Sequence, residues 1–127
     1  MNKKRPINLD LRTINLPISA LTSITHRVTG VMLFFGIPFA LYAFDISLKD
    51  EVHFIGIQLL MTDQVVIKII THGFLASLGF HLLAGVRHLI MDFGYAEELK
   101  SAQLAAVIVF IGSINLAVFS GIWVWYL

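Results

Sequence analysis

Two groups of side chains in this chain have the types and spacing to do chemistry. The first is the run His81-Leu82-Leu83-Ala84-Gly85-Val86-Arg87-His88-Leu89-Ile90-Met91-Asp92. The second is Ser23, His26, Arg27 and Gly30. A neutral imidazole is the usual nitrogen ligand of haem iron. A serine hydroxyl and a guanidinium can donate hydrogen bonds to carbonyl or carboxylate oxygens, such as those of a quinone or a haem propionate. Both groups adjoin long apolar segments, where ionisable side chains are costly and therefore suggest function.

Helical periodicity organises each group. From His81 to His88 is seven steps, about 20° short of two turns, so His81, Gly85, His88 and Asp92 form one stripe. Gly85 removes a side chain from that stripe and predicts close approach of a helix or a flat ligand such as a porphyrin edge. His81 lies deepest, in the position expected of an axial ligand. A hydrogen bond to a neighbouring helix is the plainer use of the same imidazole. Arg87 has two readings, a binding group or an interfacial side chain snorkelling to headgroups. Ser23, His26, Arg27 and Gly30 stand at i, i+3, i+4 and i+7 and share a face. Their plainer reading is a helix start, with Thr22 or Ser23 as cap. His72 is about 180° from His81 on the helix wheel, so the two cannot grip one metal from the same helix. Helix packing is the favoured role for His72, with a second haem as the alternative. His53 falls in a polar connector and is expected to be solvated.

These groups need apolar helices to position them, and the composition supplies them. Of 127 residues, 57% are apolar and 13% charged, against about 25% charged in a typical soluble domain. Uncharged runs cover 13–26, 28–44, 69–86 and 101–127. The last three approach the length needed to cross about 30 Å of hydrocarbon at about 1.5 Å per residue. The expected fold is an all-α membrane protein with three transmembrane helices, at about 23–44, 65–91 and 102–127. Residues 1–22 form an N-terminal arm and entry segment, and 23–127 the membrane domain. Pro17 suits a helix entry, and Pro38 is a candidate kink. The apolar piece from Phe54 to Met61 is too short to span and predicts a surface helix. Trp123, Trp125 and Tyr126 form an aromatic belt at the far interface.

Charge sets the expected orientation. The arm carries Lys3, Lys4, Arg5 and Arg12 against Asp10, which places the N-terminus in the cytoplasm and the C-terminus opposite. The second span then runs inward, bringing His81, Arg87 and His88 to the depth of Ser23, His26 and Arg27. The polar stretch from Asn8 to Asn15 predicts no cleaved signal. A net charge of +1 gives no indication of nucleic-acid binding. Without cysteine, the chain can supply no iron–sulfur ligand and no covalent haem link, so any haem is of b type. Three such spans leave polar faces over, and His26 lies near the boundary. Both points call for partner helices and for a second axial imidazole from another chain.

The chain resembles the cytochrome b membrane-anchor subunits of succinate dehydrogenase, complex II. The resemblance rests on Arg5-Pro6, on Ser23-Ile24-Thr25-His26-Arg27-Val28-Thr29-Gly30 and on His81…Gly85…Arg87-His88…Asp92. The stretches Pro6-Ile7-Asn8-Leu9-Asp10-Leu11 and Asp92-Phe93-Gly94-Tyr95 resemble the proteobacterial branch. It implies a three-span anchor in a heteromeric bundle with a second, smaller anchor subunit. His81 matches the haem b axial ligand, the haem being shared with that subunit. Ser23 and Arg27 match ubiquinone-site positions, His26 and Arg27 match positions near the haem propionates, and His88 is a further propionate neighbour. FAD and the iron–sulfur clusters belong to the flavoprotein and iron–sulfur partners, so this chain is a non-catalytic subunit that helps form the quinone-reduction site. The implied location is the bacterial inner membrane. A fumarate reductase anchor, a haem-free structural anchor and a small transporter, with Arg27, Arg87 and Asp92 lining an ion path, are the alternative readings.

Overall fold

The computed structural model describes residues 16–96 and 98–126. The basic arm, the Arg5-Pro6 motif, Glu97 and Leu127 lie outside the described residues. Among the described residues four helices follow in order: α1 (Ile18–Ser47), α2 (Glu51–Asp63), α3 (Val65–Asp92) and α4 (Leu99–Tyr126). The three long ones are apolar enough to cross a membrane. At 28 to 30 residues they are about 42–45 Å long. That exceeds the hydrocarbon thickness, so their ends project beyond it or the helices tilt.

Local chemistry explains the boundaries. Helix α1 begins at Ile18, earlier than the predicted residue 23, because Pro17 occupies the N-cap. Proline needs no N–H partner there, and its carbonyl accepts from the amides of Ala20 and Leu21. Thr22 is therefore not a cap. It is fully buried, and its hydroxyl donates back to the Ile18 carbonyl at 2.9 Å. Pro38 lies inside α1, which continues as one helix to Ser47. The surface helix expected around Phe54–Met61 is α2, capped by Asp50, whose carboxylate accepts from the His53 amide at 2.9 Å. The His53 ring meets the same carboxylate at 2.8 Å. Helix α3 ends at Asp92 in a Schellman turn. The Gly94 amide donates to the Met91 carbonyl and the Tyr95 amide to the Ile90 carbonyl. Gly94 adopts φ +82, a left-handed conformation that a side chain would penalise. The run Asp92-Phe93-Gly94-Tyr95 is thus the stop signal of α3.

The spans pack up, down and up, with α3 in the middle. Gly36 of α1 meets Phe74 of α3, while His26 near the start of α1 meets His81 and His88 further along α3. The same reversal pairs Gly79 with Leu116 and Arg87 with Ala102 across α3 and α4. Small side chains make these crossings close. Ala84 and Ala106 have no exposed surface, and a Cβ on Gly36 would lie 2.6 Å from the Phe74 ring. In lipid there is little hydrophobic gain from pairing helices, so this close packing supplies much of the attraction. The buried hydroxyls of Thr29, Ser77 and Ser113 donate to carbonyls of the preceding turn. Large apolar residues such as Phe34, Phe39 and Phe119 face outward. The chain is a multi-pass membrane protein.

Asp50 provides a test of the connector. The His53 amide and then its ring hold the Asp50 carboxyl below its ordinary pKa. A depressed folded value means the cap stabilises α2 above the ordinary carboxylate pKa and is lost as pH falls through the lowered one. Asp50→Ala should lower hydrogen-exchange protection of the His53 amide at neutral pH. Protection equal to wild type would show that the cap is dispensable.

Candidate functional site

Helices α1 and α3 bring three imidazoles together. The His26 and His81 rings stack with centroids 4.1 Å apart and planes inclined by 21°. His88 lies on the other side of His26, 5.1 Å away and tilted by 46°. The predicted stripe of His81 and His88 on α3 therefore faces α1, with the His26 ring between them. The spacing of seven puts both α3 imidazoles on one face, and the antiparallel crossing sets His26 at their depth.

The state of the His81 ring follows from its partners. Its Nδ1 lies 3.2 Å from the backbone carbonyl oxygen of His26 and 3.5 Å from Thr29 Oγ1. A carbonyl can only accept, so Nδ1 carries the proton and donates. The Thr29 hydroxyl directs its own proton to the carbonyls of Thr25 and His26. Nε2 of His81 engages none of the described residues, and in the neutral ring it is the nitrogen that carries the lone pair. Metal-bound histidines have this arrangement, one nitrogen donating to a backbone carbonyl and the other presented to the ion. Gly30 makes the approach possible, since a Cβ there would lie 3.1 Å from His81 Cε1.

His26 is arranged differently. Its Nε2 is buried and has no hydrogen-bond partner among the described residues. A buried polar nitrogen without a partner is uncommon and implies a missing one. Stacked rings hold their nitrogens side by side, so His26 and His81 cannot ligate one metal from opposite faces. Among the described residues, no three His, Asp or Glu side chains gather to hold a metal ion. Any metal held at His81 takes its remaining ligands from elsewhere.

Gly85 faces α1, the close approach of a neighbouring helix that its place in the stripe allowed. Its Cα faces the His26 ring, and a Cβ there would sit 3.6 Å from His26 Nε2. That is ordinary van der Waals contact, so the His26 ring packs beside Gly85 and leaves room there for a methyl group. Ser23 and Arg27 stand one turn apart, with the guanidinium donating to Ser23 Oγ at 3.4 Å. The serine oxygen accepts, which leaves its own O–H free to donate. Arg27 is exposed, immediately next to His26 in the chain.

The remaining polar residues separate from this cluster. Arg87 faces α4 instead of the histidines, and it is buried rather than snorkelling. Asp92 is exposed at the end of α3, whereas Arg87 is buried against α4. His72 uses both nitrogens, Nε2 donating to the Ala117 carbonyl at 2.9 Å and Nδ1 accepting from Trp125 Nε1 at 3.4 Å. It is a packing residue of α3 and α4, with no nitrogen left for a second haem. Sequence spacing overlooked Thr29, whose place one turn after Thr25 and beside Gly30 is a signal only when the facing helix is known.

Comparison with known proteins places the chain in a family. A family described as succinate dehydrogenase/fumarate reductase transmembrane subunit matches residues 1–120. A succinate dehydrogenase cytochrome b556 subunit from Coxiella burnetii is 36% identical over 98% of this chain and 100% of its own length. One of the same description from Paracoccus denitrificans is 33% identical, covering 90% of this chain and 87% of its own. A cytochrome b560 subunit from Reclinomonas americana is 33% identical over 85% and 78%. The chain therefore belongs to the succinate dehydrogenase/fumarate reductase transmembrane subunit family, as a membrane anchor of the succinate dehydrogenase cytochrome b type.

Proposed function

We propose that this chain anchors a succinate:ubiquinone oxidoreductase, holds haem b through His81 and completes one side of the quinone-reduction site with Ser23 and Arg27. The observation that carries this reading is the His81 ring, protonated at Nδ1 by its contact with the His26 carbonyl and bare at Nε2. The residues fit a b-type haem. His81 would hold the iron, a second anchor subunit would supply the other iron ligand, and His26 and His88 would bind the propionates. The unpartnered Nε2 of His26 suits a carboxylate acceptor. When bound, the haem supplies one-electron chemistry at a potential set by its ligands and burial.

Quinone reduction is served by this chain's own donors. The Arg27 guanidinium and the Ser23 hydroxyl lie side by side at the start of α1. Together they can orient a quinone carbonyl oxygen, and the fixed positive charge stabilises negative charge as it develops there. Succinate oxidation, the flavin and the clusters belong to the flavoprotein and iron–sulfur partners, which dock at the end of the bundle bearing Arg27. The lysine and arginine bias of the arm supports a cytoplasmic N-terminus, a periplasmic C-terminus and residence in the bacterial inner membrane.

Three variants test these roles in the assembled complex. His81→Leu should abolish or strongly alter the low-spin b-type signal in a reduced-minus-oxidised spectrum while assembly persists. An unchanged spectrum would exclude His81 as ligand. Arg27→Leu should lower ubiquinone reduction roughly 10–100-fold, the equivalent of one charge-assisted hydrogen bond. Succinate oxidation with a dye acceptor should stay intact. An equal fall in both activities would make Arg27 structural. Gly30→Ala should shift the His81 ring by a few tenths of an ångström and so move the b-type midpoint potential. Gly56→Ala, with nothing within 4 Å of the added Cβ, should leave the potential unchanged.

A further inference from the structure

Arg87 is a buried cation that the proposed haem and quinone roles do not use. Only 6% of its surface is exposed. One terminal nitrogen donates to the Ala102 carbonyl of α4 at 3.2 Å, while Nε is buried with no partner among the described residues. The ion pairs found among those residues, Lys49 with Asp45 and His53 with Asp50, lie in the first connector and leave Arg87 aside. A guanidinium enclosed by apolar groups with an idle N–H is unfavourable unless an anion meets it.

Beside it runs a cavity of about 290 Å³ between α3 and α4, lined by Leu83, Val86, Ile90, Ala105 and Ile108 together with Arg87 itself. Val86, Ile90 and Ile108 are exposed on the outer surface of the bundle, so the groove opens sideways toward lipid. Arg87 is five residues from the end of α3 at Asp92, a rise of about 7.5 Å. That depth lies close beneath a headgroup layer. His88, the next residue, is turned by about 100° and faces α1, so the groove is separate from the histidine cluster.

We propose that this groove binds one anionic phospholipid. Its phosphate accepts from the Arg87 guanidinium, and an acyl chain lies along the apolar wall from Leu83 to Ile108. The charge of the buried cation selects a phosphate, and the sideways opening selects the bilayer as its source. Arginine suits this role because its planar fork can present two N–H groups to one phosphate.

The test uses the full complex, purified from membranes, delipidated and then titrated with phosphatidylglycerol or phosphatidylcholine under native mass spectrometry. Wild type should hold one tightly bound phosphatidylglycerol, and Arg87→Gln should weaken its retention on the order of tenfold. Arg87→Lys should keep most of it. Equal retention in wild type and Arg87→Gln overturns the proposal. So does a Glu97→Gln variant that matches Arg87→Gln in lowered Tm with lipid retention unchanged in both, since the partner is then an internal carboxylate. A second measurement stands even if Arg87→Gln fails to assemble. Phosphatidylglycerol carrying a photoreactive acyl chain should label Ile90, Met91 or Ile108 in the wild-type complex. Absence of adducts there overturns the proposal and points to a partner helix covering the groove.

Discussion

A single hydrogen bond between helices, from His81 Nδ1 to the main-chain carbonyl of His26, is the constraint around which the polar end of this bundle is arranged. It crosses from α3 to α1 and uses a backbone acceptor, which has a fixed position and no rotamers to lose. It decides which imidazole nitrogen is protonated, and so which one is offered outward. The stacked His26 ring is held by the same crossing, because its backbone is the acceptor and its side chain the neighbour. Moving either helix by one residue would separate the carbonyl from the ring and expose different nitrogens.

That contact is possible only because the surrounding residues are small. Gly30 leaves room for the His81 ring, while Ala84 and Ala106 bring the middle helix close to α4. Where an aqueous protein would drive such packing by hiding apolar surface, the bilayer offers no such gain. The packing is thin: most large apolar side chains remain on the outside. A three-span subunit packed this thinly is suited to share its faces with lipid and with other helices, in keeping with its family's description as a transmembrane subunit.

Much of this was legible from the chain, for reasons that differ by element. Uncharged runs broken by Arg27, Asp45, Lys68 and Arg87 mark the spans because charges are excluded from hydrocarbon. Alternating direction then brings Ser23, His26 and Arg27 level with His81 and His88, which follows from topology alone. Pro17 was legible as a helix entry from its residue type, whereas hydrophobicity alone marks the first span only from about residue 23 because it does not register a backbone cap. Gly85 was read as clearance for a helix or a flat ligand because spacing shows a missing side chain but not its neighbour, which is the His26 ring of α1. Arg87 could not be placed because a basic residue near a helix end looks the same whether it snorkels or turns inward. The His26 carbonyl was invisible, since every residue has one and only the fold selects among them.

The central claim is that the ring of His81, and no other imidazole of this chain, reaches the haem iron. Replacing His81 with glycine in the assembled complex and then adding free imidazole tests it most directly, because the vacated space beside Gly30 can admit the lost ring. The low-spin b-type spectrum should disappear in His81→Gly and return as imidazole is titrated in. A spectrum that persists in His81→Gly without imidazole would contradict the claim.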